Sequence, residues 1–281
     1  MAPPVANRRA IAYLRGRVRK RQGWQMILDD ARFEMRLARD AADLRLAQAL
    51  RYEVFVAELG ADGPLVDHAA RLEADRFDPF FDHLMLFDRT RGGNPCVGVT
   101  RMMRETRARE AGQFYCDDEY DLGVLRASGR RLLELGRSCL HPDYRGGTAM
   151  AQMWSGLAAY VEAHGVEVIF GVASFHGTDV TPLAAPLSFL HHRHLAPPAL
   201  RVTAREPGRQ RMDLIAQADL DRAAASRKIP ALIKGYLRMG GFVGAGAFID
   251  HAFNTTDICL VVDVARIPAR HRGFYAQGLR G

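Results

Sequence analysis

The stretch Glu134–Trp154, ELGRSCLHPDYRGGTAMAQMW, constrains this chain more than any other. An apolar strand-like segment ends in a charged loop with two glycines, and that loop opens directly into an amphipathic helix. The helix carries Met150, Met153, Trp154, Leu157 and Val161 on one face, and Gly165 ends it. The first amides of a helix have no internal partner and its dipole favours negative charge, so the loop is placed to hold an anion. Gly146 and Gly147 let the main chain approach a phosphate, and Arg145 adds a fixed charge. A plain glycine turn would satisfy the same residues.

The feeding strand narrows the choice. Glu134 and Arg137 stand three apart among Leu, Gly, Ser and Cys, and charges inside a strand are costly unless paired or used. Strict alternation puts them on opposite faces. A bulge at Gly136 would bring them to one side and leave backbone N–H groups free for an oxyanion. An internal salt bridge is the alternative.

The rest of the chain sets bounds. Its 281 residues, 48% hydrophobic and 25% charged, suit a globular protein with a sizeable core. No apolar run reaches transmembrane length and no signal-peptide segment opens the chain, which predicts a cytoplasmic protein. Cys96, Cys116, Cys139 and Cys259 are too scattered for zinc spacing and read as reduced thiols. The net charge of +7 lies entirely in residues 1–28, where seven basic residues from Arg8 to Arg21 meet no acidic one. Ile11, Leu14 and Val18 give this arm a short amphipathic pattern suited to an anionic membrane surface or an acidic partner; a solvated tail fits equally. The remainder is charge-balanced, which disfavours nucleic acid. The arm, 1–28, and one folded domain, 29–281, are the expected divisions.

Periodicity predicts strands at RFEMRLAR, HLMLFD, CVGVTRMMR, RRLLELGRSCL, VEVIFGVAS, AFIDHAF and DICLVVDV. Helices are expected after Asp40, from Thr148 to about His164, and over Pro230–Met239. Pro182, Pro186, Pro197 and Pro198 obscure the region around LHHRHL. The order implies an α/β fold with a mixed, mostly antiparallel central sheet and helices on both faces.

The strand–loop–helix unit resembles the pyrophosphate-binding motif of GNAT-fold acyltransferases. The wider pattern is closer to two acyl-carrier-protein-dependent branches of that fold. Arg51-x-x-x-Phe55, Asp75-x-x-Asp78, Arg101 and Glu134-x-x-Arg137 are similar to the acyl-homoserine-lactone autoinducer synthases. ELGRSCLHPDYRGG, SFLHHRHLAPPALR, PALIKGYLRMGGFVG and FNTTDICLVV look like the ornithine Nα-acyltransferases of ornithine-lipid synthesis, over roughly Arg32 to Val264. Thr148 and Met150 replace the later small residues of many GNAT loops, which speaks against acetyl-CoA as donor.

That resemblance implies transfer of a 3-hydroxyacyl chain from acyl carrier protein to the α-amino group of L-ornithine, giving a lyso-ornithine lipid. No cofactor is then needed, because the phosphopantetheine belongs to the donor. Glu134 is the expected base, directly or through one water, with Arg137 facing the donor or the tetrahedral oxygen. Ser138, Leu140, Arg145, Gly146, Gly147 and Thr148 would hold the phosphopantetheine. Asp75 and Asp78 would take the acceptor's ammonium, and Arg51 or Arg101 its carboxylate. Phe114, Trp154, His191 and His192 are candidates for the acyl pocket, with Phe55 a core residue. His191, His192 and His194 lack carboxylate or Cys partners at ligand spacing, so no metal is expected. Asn254 and Asp257 read as turn residues. The rivals are an autoinducer synthase and a catalytically silent adaptor for acyl carrier protein or membranes.

Overall fold

In the computed structural model, residues 26–29 and 31–268 are described. Most of the basic arm therefore lies outside the described residues. Its last part does not: β1 (Met26–Asp29) pairs antiparallel with β2 (Phe33–Leu37), so the sheet begins before the expected boundary at residue 28.

Asp40 caps α1 (Ala41–Arg51) by accepting from the Asp43 amide, and the helix runs on into a wider turn, Tyr52–Glu58. Strands β3 (Asp82–Asp88) and β4 (Cys96–Arg104) follow as the alternation predicts. Two short helices, α2 (Glu105–Ala111) and α3 (Gly123–Ala127), flank the two-residue strand β5 (Tyr120–Asp121). Next come β6 (Leu132–Leu140), α4 (Ala149–Ala163) and β7 (Val168–His176). The proline-rich region holds α5 (Ala184–His194), β8 (Thr203–Ala204), β9 (Arg209–Gln210) and α6 (Arg222–Arg227). The chain closes with α7 (Ala231–Arg238), β10 (Phe242–Val243), β11 (Ala247–Asp250) and β12 (Thr255–Asp263).

The main sheet runs β1-β2-β3-β4-β6-β7-β12-β11-β9, with β10 also on β12. Its β6–β7 pairing is parallel, and the other pairings are antiparallel. The two faces read directly from β3: Leu84 and Leu86 join the core under α4, while Met85 and Phe87 pack with Leu50 and Val54 beneath α1. Helices thus cover both faces, as expected.

The parallel pairing is short. Leu132, Leu133 and Glu134 face Val168, Ile169 and Phe170, and there the ladder stops. Gly171 marks the parting point, since a Cβ on it would stand 2.2 Å from the Leu135 carbonyl oxygen. On the other side of β6 the ladder to β4 slips, because Arg101 faces Gly136 and Val99 faces Cys139. Arg137 and Ser138 therefore oppose Thr100 alone, and Arg137 takes a φ of 50°. The expected bulge exists, one residue later than the sequence suggests: Arg137, rather than Gly136, adopts the left-handed conformation.

Candidate active site

Where β6 and β7 separate, a cavity of about 350 Å³ opens. Its β6 wall is Leu135, Gly136, Arg137 and Ser138, and its β7 wall runs from Ile169 to Ser174 and includes His176. Phe55, Leu59 and Ala61 enter from the end of the first helical segment, and Leu232 and Tyr236 from α7. Asp250, Phe253, Thr255 and Asp257 complete it from the end of the β11–β12 hairpin. A mostly apolar cleft with a few convergent polar groups is the usual form of a small-molecule site.

Arg137 is the cation on this wall. Its Nε donates to Glu73 at 3.2 Å, its Nη2 lies 3.4 Å from Asp75, and its guanidinium stacks on Phe253 and Tyr115. Burial opposes its charge, but Tyr115, Glu73 and Asp75 hold it firmly protonated. A fixed positive charge beside an open cavity is suited to a developing oxyanion.

Glu134 sits elsewhere than expected. Its carboxylate is fully buried and accepts from the Tyr115 amide at 2.8 Å and the Cys116 amide at 2.6 Å, and it is not among the residues that line the cavity. Direct contact between Glu134 and a substrate is therefore closed. Burial pushes its carboxyl up to about 7, against the pull of those two amides and of Arg101. Tyr115, which it holds, does line the cavity.

Arg51, Asp75, Asp78 and Arg101 come together, but as partners of one another. Arg51 donates to Glu73 at 2.5 Å and to Asp78 at 2.7 Å; Arg101 donates to Asp75 at 2.7 Å and to Asp78 at 2.6 Å. Arg51 and Arg101 have no exposed surface, and none of the four lines the cavity. This buried network stands behind the cavity wall, where Glu73 and Asp75 support Arg137. Glu73, whose carboxylate bridges Arg51 and Arg137, is a member the sequence reading missed.

The loop is anchored at two neighbouring residues just before its glycines. The Tyr144 hydroxyl donates to Asp88 at 2.8 Å, and Arg145 makes two 2.6 Å bonds to Glu58. Gly146, with a φ of 77°, is exposed with Gly147 and Thr148, and no side chain caps the start of α4. The N-terminus of α4 thus presents its amides outward. Ser138 lines the cavity and bonds the Thr100 hydroxyl, while Leu140 is part of the core.

The four acyl-pocket candidates lie outside the cavity. Phe114 packs edge-on to Phe170 in a second core cluster, and Trp154 packs on Tyr236. His192 bonds the Ile215 carbonyl from α5, and neither it nor neighbouring His191 lines the cavity. The apolar lining comes instead from Leu135, Ile169, Val172, Leu232, Leu260 and Val262. Asn254 does turn the chain, with a φ of 51°, but Asp257 is a buried β12 residue facing Ser174.

Residues 50–155 match the family model described as acetyltransferase (GNAT) domain. The chain is 58% identical over 252 residues to an L-ornithine N(alpha)-acyltransferase of Rhodobacter capsulatus, covering 89% of this chain and 96% of that one. Its identity to the enzyme of the same name from Brucella abortus is 40%, over 86% and 88% of the two chains. Among solved structures, FeeM, an N-acyl amino acid synthase from uncultured soil microbes, superposes with a TM-score of 0.51 at 11% identity, covering 83% of this chain and 92% of that one; this likeness bears on the fold alone. With a GNAT-like fold and this identity along nearly the whole folded length, the chain is an acyltransferase and belongs to the L-ornithine N(alpha)-acyltransferase family.

Proposed function

We propose that this enzyme transfers a 3-hydroxyacyl group from acyl carrier protein to the α-amino nitrogen of L-ornithine, producing a lyso-ornithine lipid. The observation that carries the reading is the 58% identity to an L-ornithine N(alpha)-acyltransferase across 96% of its length. The cavity supplies the mechanics. The donor's phosphate rests on the open amides of Gly146–Thr148 at the start of α4, and its pantetheine arm enters between β6 and β7.

The α-ammonium first loses one proton. The free amine then attacks the thioester carbonyl, a C–N bond forms, and negative charge gathers on the carbonyl oxygen near Arg137. The C–S bond breaks, and the departing thiolate takes up the second nitrogen proton as the free carrier thiol. Glu134 accepts the first proton through a water: its carboxyl is poised near neutrality, and Gly136, two residues along the same strand, lines the cavity without adding a side chain. Arg137, held by Glu73 and Asp75, supports the oxyanion.

Expression in a bacterial host that lacks ornithine lipid, followed by mass spectrometry of the lipid extract, tests the product. A zwitterionic N-acyl-ornithine is expected; a diffusible acyl lactone would assign the chain to autoinducer synthesis.

A further inference from the structure

The cavity has an acidic corner that the reaction above does not use. Glu119, Asp250 and Asp257 each place a carboxylate oxygen within 4.8 Å of the other two. Asp250 is fixed by the Ala252 and Phe253 amides, at 2.8 and 3.1 Å. Glu119 and Asp257 are each only 4% exposed, and Glu119 Oε2 and Asp257 Oδ1 are buried with no hydrogen-bond partner. The Ser174 and Thr255 hydroxyls approach the Asp257 carboxyl and stabilise its charge only in part. Asp250, Thr255 and Asp257 open onto the cavity with Arg137, and Glu119 stands behind them, off the cavity wall.

Such crowding is unfavourable without a cation. Burial first, and the neighbouring carboxylates next, push the Glu119 and Asp257 carboxyls above their usual range. Arg137 lowers both without offsetting the burial and the neighbouring carboxylates. A group with several N–H donors, no acceptor and one positive charge would satisfy the corner.

We infer that Asp250 and Asp257, with Glu119 buried against them, form the subsite for the acceptor's side-chain ammonium and select a diamino acid over its neutral isostere. The inference rests on the proposed acceptor class. A primary ammonium offers N–H donors to Asp250 and Asp257 and its charge to all three carboxylates, while an acceptor ending in a methyl group leaves the corner's negative charge uncompensated. A site built around such donors rejects the analogue that lacks them far more strongly than a size mismatch would.

The test is calorimetric titration of the full-length protein with L-ornithine and with L-norleucine, which ends in a methyl group where ornithine bears its ammonium. Both ligands are compared on wild type, Asp257→Asn and Glu119→Gln, with acyl transfer assayed in parallel. Wild type is expected to bind ornithine at least about a hundredfold more tightly than norleucine. Either substitution should shrink that ratio by about tenfold or more, chiefly through weaker ornithine binding. Equal binding of the two ligands by wild type, or an unchanged ratio in variants with native circular dichroism, overturns the inference. So does binding of magnesium or calcium ions at micromolar concentration that Asp257→Asn abolishes, since the corner would then be a metal site. Selective ornithine binding without acyl transfer would instead overturn the proposed reaction and leave the subsite standing.

Discussion

Gly171 lies so close to the Leu135 carbonyl that no side chain fits between them, and this contact fixes where β6 and β7 divide. The three-residue parallel ladder below it holds the sheet together, and the cavity opens above it. Separation is built into the backbone: one strand needs a glycine, and the other bulges at Arg137.

Gly171→Ala is therefore expected to destabilise the fold by about 1–3 kcal/mol, because the added methyl meets backbone rather than a movable side chain. Urea unfolding measures this. A variant as stable as wild type would show that the strands part for some other reason.

Arg51→Met is expected to cost about 3–5 kcal/mol, since it leaves Glu73 and Asp78 buried with their shared cation removed. Activity should fall as well, because Glu73 also holds Arg137. Chemical denaturation and steady-state kinetics at a temperature where the variant remains folded check both parts. An intact kcat in a folded variant would separate the network from the oxyanion.

Glu134 links stability to pH. Its folded carboxyl titrates at about 7, against roughly 4.3 for an unfolded glutamate, so between those values the native state holds a proton that the unfolded chain has released. Its contribution is complete below the unfolded value and disappears as pH rises through 7. Wild type should accordingly lose about 3 kcal/mol more than Glu134→Gln between pH 4 and pH 8, measured by denaturant titration. Parallel pH profiles would place the Glu134 carboxyl near its ordinary range.

The same substitution tests the proton path. Glu134→Gln is expected to lower kcat by about 10²–10⁴ and to remove the acid limb of the pH–rate profile, with donor KM little changed. A retained limb near pH 7 would mean that the carboxyl serves only to hold Tyr115 and Cys116 in place.

Deleting residues 1–25, which stops short of β1, should weaken binding to anionic vesicles or to acyl carrier protein at low salt, and the difference should fade as salt rises. Co-sedimentation at two salt concentrations reads this directly. Unchanged partitioning would make the arm a solvated tail.

Much of the fold was legible because its signals are local. Phe33, Met35 and Leu37 alternate as a strand does, Asp40 announces a helix, and Glu134–Trp154 carries strand, loop and helix in one run. Glycine preference points to Gly136 for the bulge, whereas the ladder to β4 puts the left-handed residue at Arg137. The site was less legible because cavity walls are set by long-range pairing. Asp257 reads as a turn residue beside Asn254 until its register with Ser174 places it in the cavity. Arg51, Asp75, Asp78 and Arg101 look available one by one, and only their convergence with Glu73 reveals that they pair with one another. The aromatic Phe114 and Trp154 suggested an acyl pocket, but β6, β7, β12 and α7 supply the lining.

The most direct measurement is a purified assay offering 3-hydroxyacyl carrier protein together with a panel of amino acids, including ornithine, lysine, glutamine and glycine, with products read by mass spectrometry. Preferential formation of an amide at the ornithine α-nitrogen, with release of carrier thiol, is the predicted result. Thiol release with no amide, or an amide formed equally well on every amino acid offered, would contradict the account.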